Sequence, residues 1–218
     1  MPINKGKKSK KVTLYITRHG KTVMNHQRLY QGSLDSPLHE IGIKATEALR
    51  ERIKDIHFDA VYVSPLGRTI ETYNLLKNPN MPSLERRKAL REFDFGVIEG
   101  SSIDEAEFNW PDEIRSLYHD PRNQIPAKGM DRLDAFNKAV VEELYDLLDL
   151  HDKSCILVVT HGIVIRSLMM EFEKRSIDNF WIDGYIPSNS LLIVEFEEDR
   201  FNILDRFSNG HLKTIEDV

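Results

Sequence analysis

Short apolar bursts bounded by turn residues alternate along this chain with stretches where apolar residues return every three or four positions. These are the patterns of buried strands and amphipathic helices. Residues 12–17 (Val-Thr-Leu-Tyr-Ile-Thr) are strand-like and break off into Arg18-His19-Gly20. A polar loop follows, rich in turn formers (Gly32, Asp35, Ser36, Pro37). Ala45, Leu49, Ile53 and Ile56 then mark one face of a helix. Residues 59–63 predict a short buried strand. Ser64-Pro65 directly after it predicts a helix start, with serine as N-cap and proline at the first helical position. A polar strand-like run over 84–91 ends at Glu92. Residues 101–128 have no clear period, carry Pro111, Pro121 and Pro126, and have the character of an inserted lid. Leu133, Phe136, Val140, Leu144 and Leu147 give a long helix. A second strand-like run, 156–160, also ends in His161-Gly162; a helix to about Lys174 and a terminal hairpin turning near Glu198-Asp199 complete the chain.

Strands alternating with helices imply a mostly parallel sheet covered on both faces. The expected fold is therefore a three-layer α/β/α domain over residues 12–208, with an antiparallel edge from the hairpin and a small lid at about 101–128. Residues 1–11 are expected to form a basic flexible tail and 209–218 a C-terminal tail. Composition narrows the class. A net charge of −5 argues against a general nucleic-acid binder. No apolar stretch approaches the ~20 residues that span a bilayer, so no membrane partner is expected. The single cysteine, Cys155, forbids an intrachain disulfide and fits a reducing, cytoplasmic setting; at the head of an apolar strand it is expected to be buried and inert. No His, Cys and carboxylate group has metal-ligand spacing, so no metal site is expected.

The two strand–His–Gly junctions carry the chemistry. Groups just past the carboxyl ends of parallel strands line the ligand crevice of an α/β sheet. Arg18 and His19 leave one such strand, His161 leaves another, and Arg68 lies in the first turn of the helix after a third. Two guanidiniums that can grip oxygens as forks, beside helix N-termini, favour phosphate. A neutral imidazole there can attack phosphorus, provided its other nitrogen is held as a donor. The leaving alkoxide needs a proton, and Glu92 is the best-placed carboxyl, with Glu99, Asp94 and Asp35 as rivals.

Thr17-Arg18-His19-Gly20 with Asn25 and Gln31-Gly32, then Ser64-Pro65-Leu66-Gly67-Arg68-Thr69, then Arg91 to Gly96 with Glu99-Gly100, then Val159-Thr160-His161-Gly162 together resemble the histidine phosphatase superfamily, the phosphoglycerate-mutase-like enzymes. The motifs come in family order and span nearly the whole chain. The resemblance implies His19 as a phosphorylated nucleophile and Glu92 as proton donor. Arg18, Arg68 and His161 would form the phosphate pocket, with Asn25, Gln31, Gly32 and Gly162 also in contact with substrate. It implies a small phosphorylated substrate and no cofactor; it leaves oligomeric state open. Departures from the mutase branch favour hydrolysis. Ile163 replaces an Asn, Phe95 replaces a Tyr, and Arg86-Arg87 lies on the wrong side of the acid to serve as the mutases' carboxylate-binding arginines. Met130-Asp131 stands where many phosphatase relatives have Gly-Glu-Ser. A mutase and a non-catalytic phospho-ligand-binding protein on the same fold are the alternatives.

Overall fold

The computed structural model describes residues 10–212. Its strands are β1 (Lys11–Arg18), β2 (Ala60–Val63), β3 (Leu84–Arg86), β4 (Ser154–Thr160), β5 (Leu191–Glu197) and β6 (Arg200–Ser208). They join in one sheet in the order β3-β2-β4-β1-β5-β6. The first four run parallel; β5 is antiparallel to β1, and β6 to β5. The central pair is the one that matters for chemistry. β1 lies beside β4 with Arg18 opposite Thr160, and the His19 amide continues the ladder to the Thr160 carbonyl at 2.9 Å. Both His-Gly junctions thus leave one sheet edge side by side.

Strand periodicity sorts side chains into two cores. Val12, Leu14, Ile16, Tyr62, Ile156 and Val158 face one layer; Val61, Val63, Leu157 and Val159 face the other. The first layer holds α6 (Leu133–Leu150) and α7 (Gly162–Phe172), the second α2 (Glu40–Ile53) and α3 (Gly67–Leu76). This is the three-layer mixed sheet the sequence predicts. Burying each such aliphatic side chain contributes roughly 1.5–3 kcal/mol, so the strands that deliver the histidines are firmly anchored in both cores.

The stretch expected as a lid forms α4 (Ile103–Asn109) and α5 (Pro111–His119), which bury Ala106, Ile114 and Leu117 in the first core. The Gln124 side chain accepts the Leu133 amide at 2.7 Å. It thereby satisfies an N-terminal N–H of α6, whose own N-cap residue supplies no side-chain bond. Four expectations are corrected. The 84–91 strand stops at Arg86, because β2 ends at Val63 opposite it and offers nothing further to pair with. The polar loop after β1 contains a short helix, α1 (Val23–His26), closed by a Thr22/Asn25 capping box. Ser64 is not the cap of α3, which starts at Gly67 after Leu66. Cys155 is half-buried rather than buried, and burial with Asp59 nearby pushes its thiol up to about 11. Of the basic tail, residues 1–9 lie outside the described residues, while Lys10 pairs with Asp149 and Lys11 opens β1. Residues 213–218 also lie outside them; Leu212, before them, is buried.

Candidate active site

His19 and His161 meet with ring centroids 5.1 Å apart, both buried. The His19 Nδ1 lies 2.8 Å from the Gly20 carbonyl. A carbonyl can only accept, so the proton sits on Nδ1 and Nε2 keeps its lone pair. Arg68 Nε donates to that Nε2 at 3.3 Å. Burial, and then the charges of Arg68 and Arg18, hold His19 well below the usual imidazole range. It is a neutral base at the centre of a cationic pocket. His161 is lowered by the same causes, with His19 contributing as well. Its Nε2 shares a 2.6 Å hydrogen bond with Ser64 Oγ, while its Nδ1 is buried without a partner. This is the task of Ser64: it holds the second histidine instead of capping a helix.

The α3 terminus is capped from a distance. Asp35 accepts the Gly67 and Arg68 amides, the latter at 3.3 Å, and Arg68 Nη1 at 3.2 Å. Arg68, only 1% exposed, also donates Nη2 to the Gly32 carbonyl at 2.7 Å and Nη1 to the Leu34 carbonyl at 3.0 Å. Its fork is fixed by the loop that follows α1, leaving Nε aimed at His19. Arg18 donates Nη1 to the Ile186 carbonyl at 2.7 Å, lies 5.2 Å from the Tyr185 ring centroid, and keeps a buried, unpartnered Nε.

Glu92 is 5% exposed. The Ile163 amide, in the first turn of α7, points at its two oxygens at 3.2 and 3.3 Å, and the Phe93 amide at 3.1 Å. Burial raises its pKa against the pull of Arg68, those amides and Arg18. The position that differs from the mutases is therefore used through its backbone. Asp131 brackets this acid. It takes both Nη atoms of Arg91 at 2.8 and 2.9 Å and the Asp94 amide at 2.9 Å. The rival carboxylates are all committed elsewhere, Asp35 to the α3 terminus and Arg68. Glu99 accepts the Ser33, Leu34 and Phe95 amides, and Asp94 the Ser33 hydroxyl and the Gly96 amide.

A cleft of about 930 Å³ is lined by Arg18, Asn25, Gln31, Glu92 and Gly162 among the residues singled out from the sequence, while His19, Arg68 and His161 are buried and do not line it. The Asn25 carbonyl oxygen takes the Thr22 amide at 3.4 Å, so the amide nitrogen is the end a phosphate oxygen could use. Gln31 spends both ends of its amide on the loop, accepting from Thr22 Oγ1 at 2.7 Å and donating to Ser36 Oγ at 3.2 Å. Gly32 serves close packing: a Cβ there would sit 2.2 Å from the Phe93 carbonyl oxygen. Arg87 faces elsewhere, over Tyr62 and against Glu85 and Glu143. Tyr118, of the aromatics in residues 101–128, lines the cleft, whereas Phe108 is 84% exposed. Sequence reasoning missed the far wall, built from Arg166, Trp181, Tyr185 and Ile186. The available signal was Arg166 itself, a lone charge in the otherwise uncharged, largely apolar run 163–170. Among the described residues, no three His, Cys, Asp or Glu side chains are grouped to hold a metal ion, and no helix is long and apolar enough to cross a membrane.

The model of the histidine phosphatase superfamily (branch 1) matches residues 14–209. The chain belongs to this family. It is 26% identical over 201 residues to phosphoserine phosphatase 1 of Hydrogenobacter thermophilus, covering 92% of this chain and 94% of that one. It is 31% identical over 169 residues to a 2,3-bisphosphoglycerate-dependent phosphoglycerate mutase of Rhizobium etli, covering 74% and 80%. Among solved structures it is similar to Bacillus stearothermophilus YhfR, with a TM-score of 0.88, 29% identity, and 93% and 100% of the two chains covered. Relatives named as phosphatases and as mutases are thus both similar to this chain.

Proposed function

We propose that this protein is a metal-independent phosphomonoesterase that hydrolyses a small phosphate ester through a phosphohistidine on His19. The observation that carries it is the fixed tautomer of His19: Nδ1 donates to the Gly20 carbonyl, and Nε2 faces the Arg68 guanidinium with its lone pair. Nε2 attacks phosphorus as the ester P–O bond breaks, and protonated Glu92 gives its proton to the departing oxygen. Water then attacks phosphorus, passes a proton to the Glu92 carboxylate, and the N–P bond breaks. Arg18, Arg68, the Asn25 amide and His161 stabilise charge on the equatorial oxygens. With the Ser64 hydroxyl donating to His161 Nε2, the His161 proton sits on Nδ1, the ring atom left for phosphate. Neutral imidazoles suit both tasks, nucleophile at His19 and donor at His161.

The test is His19→Ala. Turnover of p-nitrophenyl phosphate and acid-labile labelling by a radioactive substrate are both expected to vanish while the circular dichroism spectrum is kept. Turnover that survives removes His19 from the mechanism. Vanadate is expected to inhibit, and a chelator to leave activity unchanged. The Rhizobium etli relative favours mutase activity as a second reading. Interconversion of phosphoglycerate isomers with little phosphate released would select it over hydrolysis.

A further inference from the structure

The far wall of the cleft contains a charge that the phosphate pocket does not use. Arg166 is 9% exposed and lines the same cleft as Arg18, Glu92 and Gly162. One Nη donates to the Gly184 carbonyl, and the guanidinium lies 5.0 Å from the Trp181 ring centroid. The other, Nη1, is buried with no hydrogen-bond partner. Among the described residues no carboxylate pairs with it. Asp183, the acid that most affects it electrostatically, is taken up by Arg175 and Arg206. A buried guanidinium without a counter-ion is costly. A site whose ligand brings the missing charge offsets that cost on binding.

We propose that Arg166 is a specificity-determining residue that receives a second anionic group, carried on the leaving group of the substrate. Position follows from the helix. Arg166 is four residues after Gly162 in α7, one turn further along the same face and ~6 Å of helix rise beyond the phosphate end. The favoured substrate is therefore a phosphomonoester with a carboxylate or second phosphoryl group a few bonds from phosphorus. Its body would lie among Tyr30, Phe95, Tyr118 and Tyr185, which line the same cleft. This inference rests on the hydrolase reading and deepens it.

The experiment pairs phenyl phosphate with 4-carboxyphenyl phosphate, and propylphosphonate with 3-phosphonopropionate as inhibitors. Wild type is expected to favour the carboxylated member of each pair by about tenfold, in kcat/KM and in Ki. That ratio corresponds to about 1.4 kcal/mol. Arg166→Gln is expected to remove the preference while changing kcat/KM for phenyl phosphate less than twofold, and Arg166→Lys to restore part of it. If Arg166 only props the Trp181 segment, both substrates fall together in the variant and the ratio stays, which overturns the proposal. Equal inhibition of wild type by the two phosphonates overturns it without recourse to any variant. Phenyl phosphate turned over with no carboxylate preference sinks this inference alone. Failure of wild type to hydrolyse any of these esters sinks the hydrolase reading and this inference with it. A bisphosphorylated analogue in the same assay separates carboxylate from phosphoryl as the second group.

Discussion

Asp131→Ala separates the placing of the acid from the capture of phosphate. The carboxylate receives three charge-assisted hydrogen bonds, two from Arg91 and one from the Asp94 amide, at 2.8 to 2.9 Å. These residues flank Glu92 on both sides. Fully buried, each such bond contributes ~1.5–3 kcal/mol, but Arg91 and Asp131 are 33% and 23% exposed. Solvent screening reduces the total to ~2–3 kcal/mol. For a chain of this size that lowers Tm by roughly 4–12 °C. The kinetic consequence is selective. Displacement of a catalytic group by about 1 Å can cost 10²-fold, so an alkyl phosphate, whose alkoxide must be protonated, is expected to lose ~10–100-fold in kcat/KM, which reports the steps up to departure of the alcohol. p-Nitrophenyl phosphate, whose phenolate departs without a proton, is expected to lose less than about threefold in kcat/KM, because Arg18, Arg68 and both histidines are untouched. Steady-state assays on one preparation measure both, so any unfolded fraction cancels in the ratio. Asp131→Asn, with one acceptor oxygen left, should fall between. An equal loss on the two esters would refute the assignment of Asp131 to the acid loop.

Glu92→Gln should cut alkyl phosphate turnover by ~10²–10⁴-fold and raise stability. Burial lifts the folded carboxyl above 4.5, so its contribution is complete below the unfolded value and is lost as pH rises through the folded one. The variant is therefore expected to melt above wild type at pH 8, with the gap closing near pH 4. His19 and His161 lie below 6.5 in the fold, so wild type should lose stability as pH falls beneath that value. His161→Asn should flatten this slope in melts between pH 7 and 5. Ser64→Ala leaves His161 Nε2 without its 2.6 Å partner. It should cost ~1–3 kcal/mol and about tenfold in kcat, with KM for p-nitrophenyl phosphate little changed. An unchanged kcat would release Ser64 from the site.

The legible parts of the sequence were those with a period or a junction. Val12, Leu14 and Ile16, or Val140, Leu144 and Leu147, reveal their faces because sheet and helix geometry repeat. His19 and His161 reveal theirs because a strand ends where glycine begins. Ser64 misled because a serine before proline has the chemistry of an N-cap; only the neighbouring strand β4 turns its hydroxyl toward His161. The distant carboxylate of Asp35 does the capping instead, and no local rule finds a cap 32 residues away. The wall from Trp181 to Ile186 has no period and becomes a site only through Arg18 and Arg166, which reach it from other elements.

The bond from His19 Nδ1 to the Gly20 carbonyl also determines stereochemistry. The ring presents a single nitrogen and cannot flip without breaking that contact. In the proposed two-step reaction, the alcohol therefore leaves and the water arrives along one line, opposite the imidazole. Phosphorus would invert twice, and a phosphate made chiral with oxygen isotopes would be passed to an acceptor alcohol with its handedness kept. One acid–base group on that line suffices for both halves of the cycle.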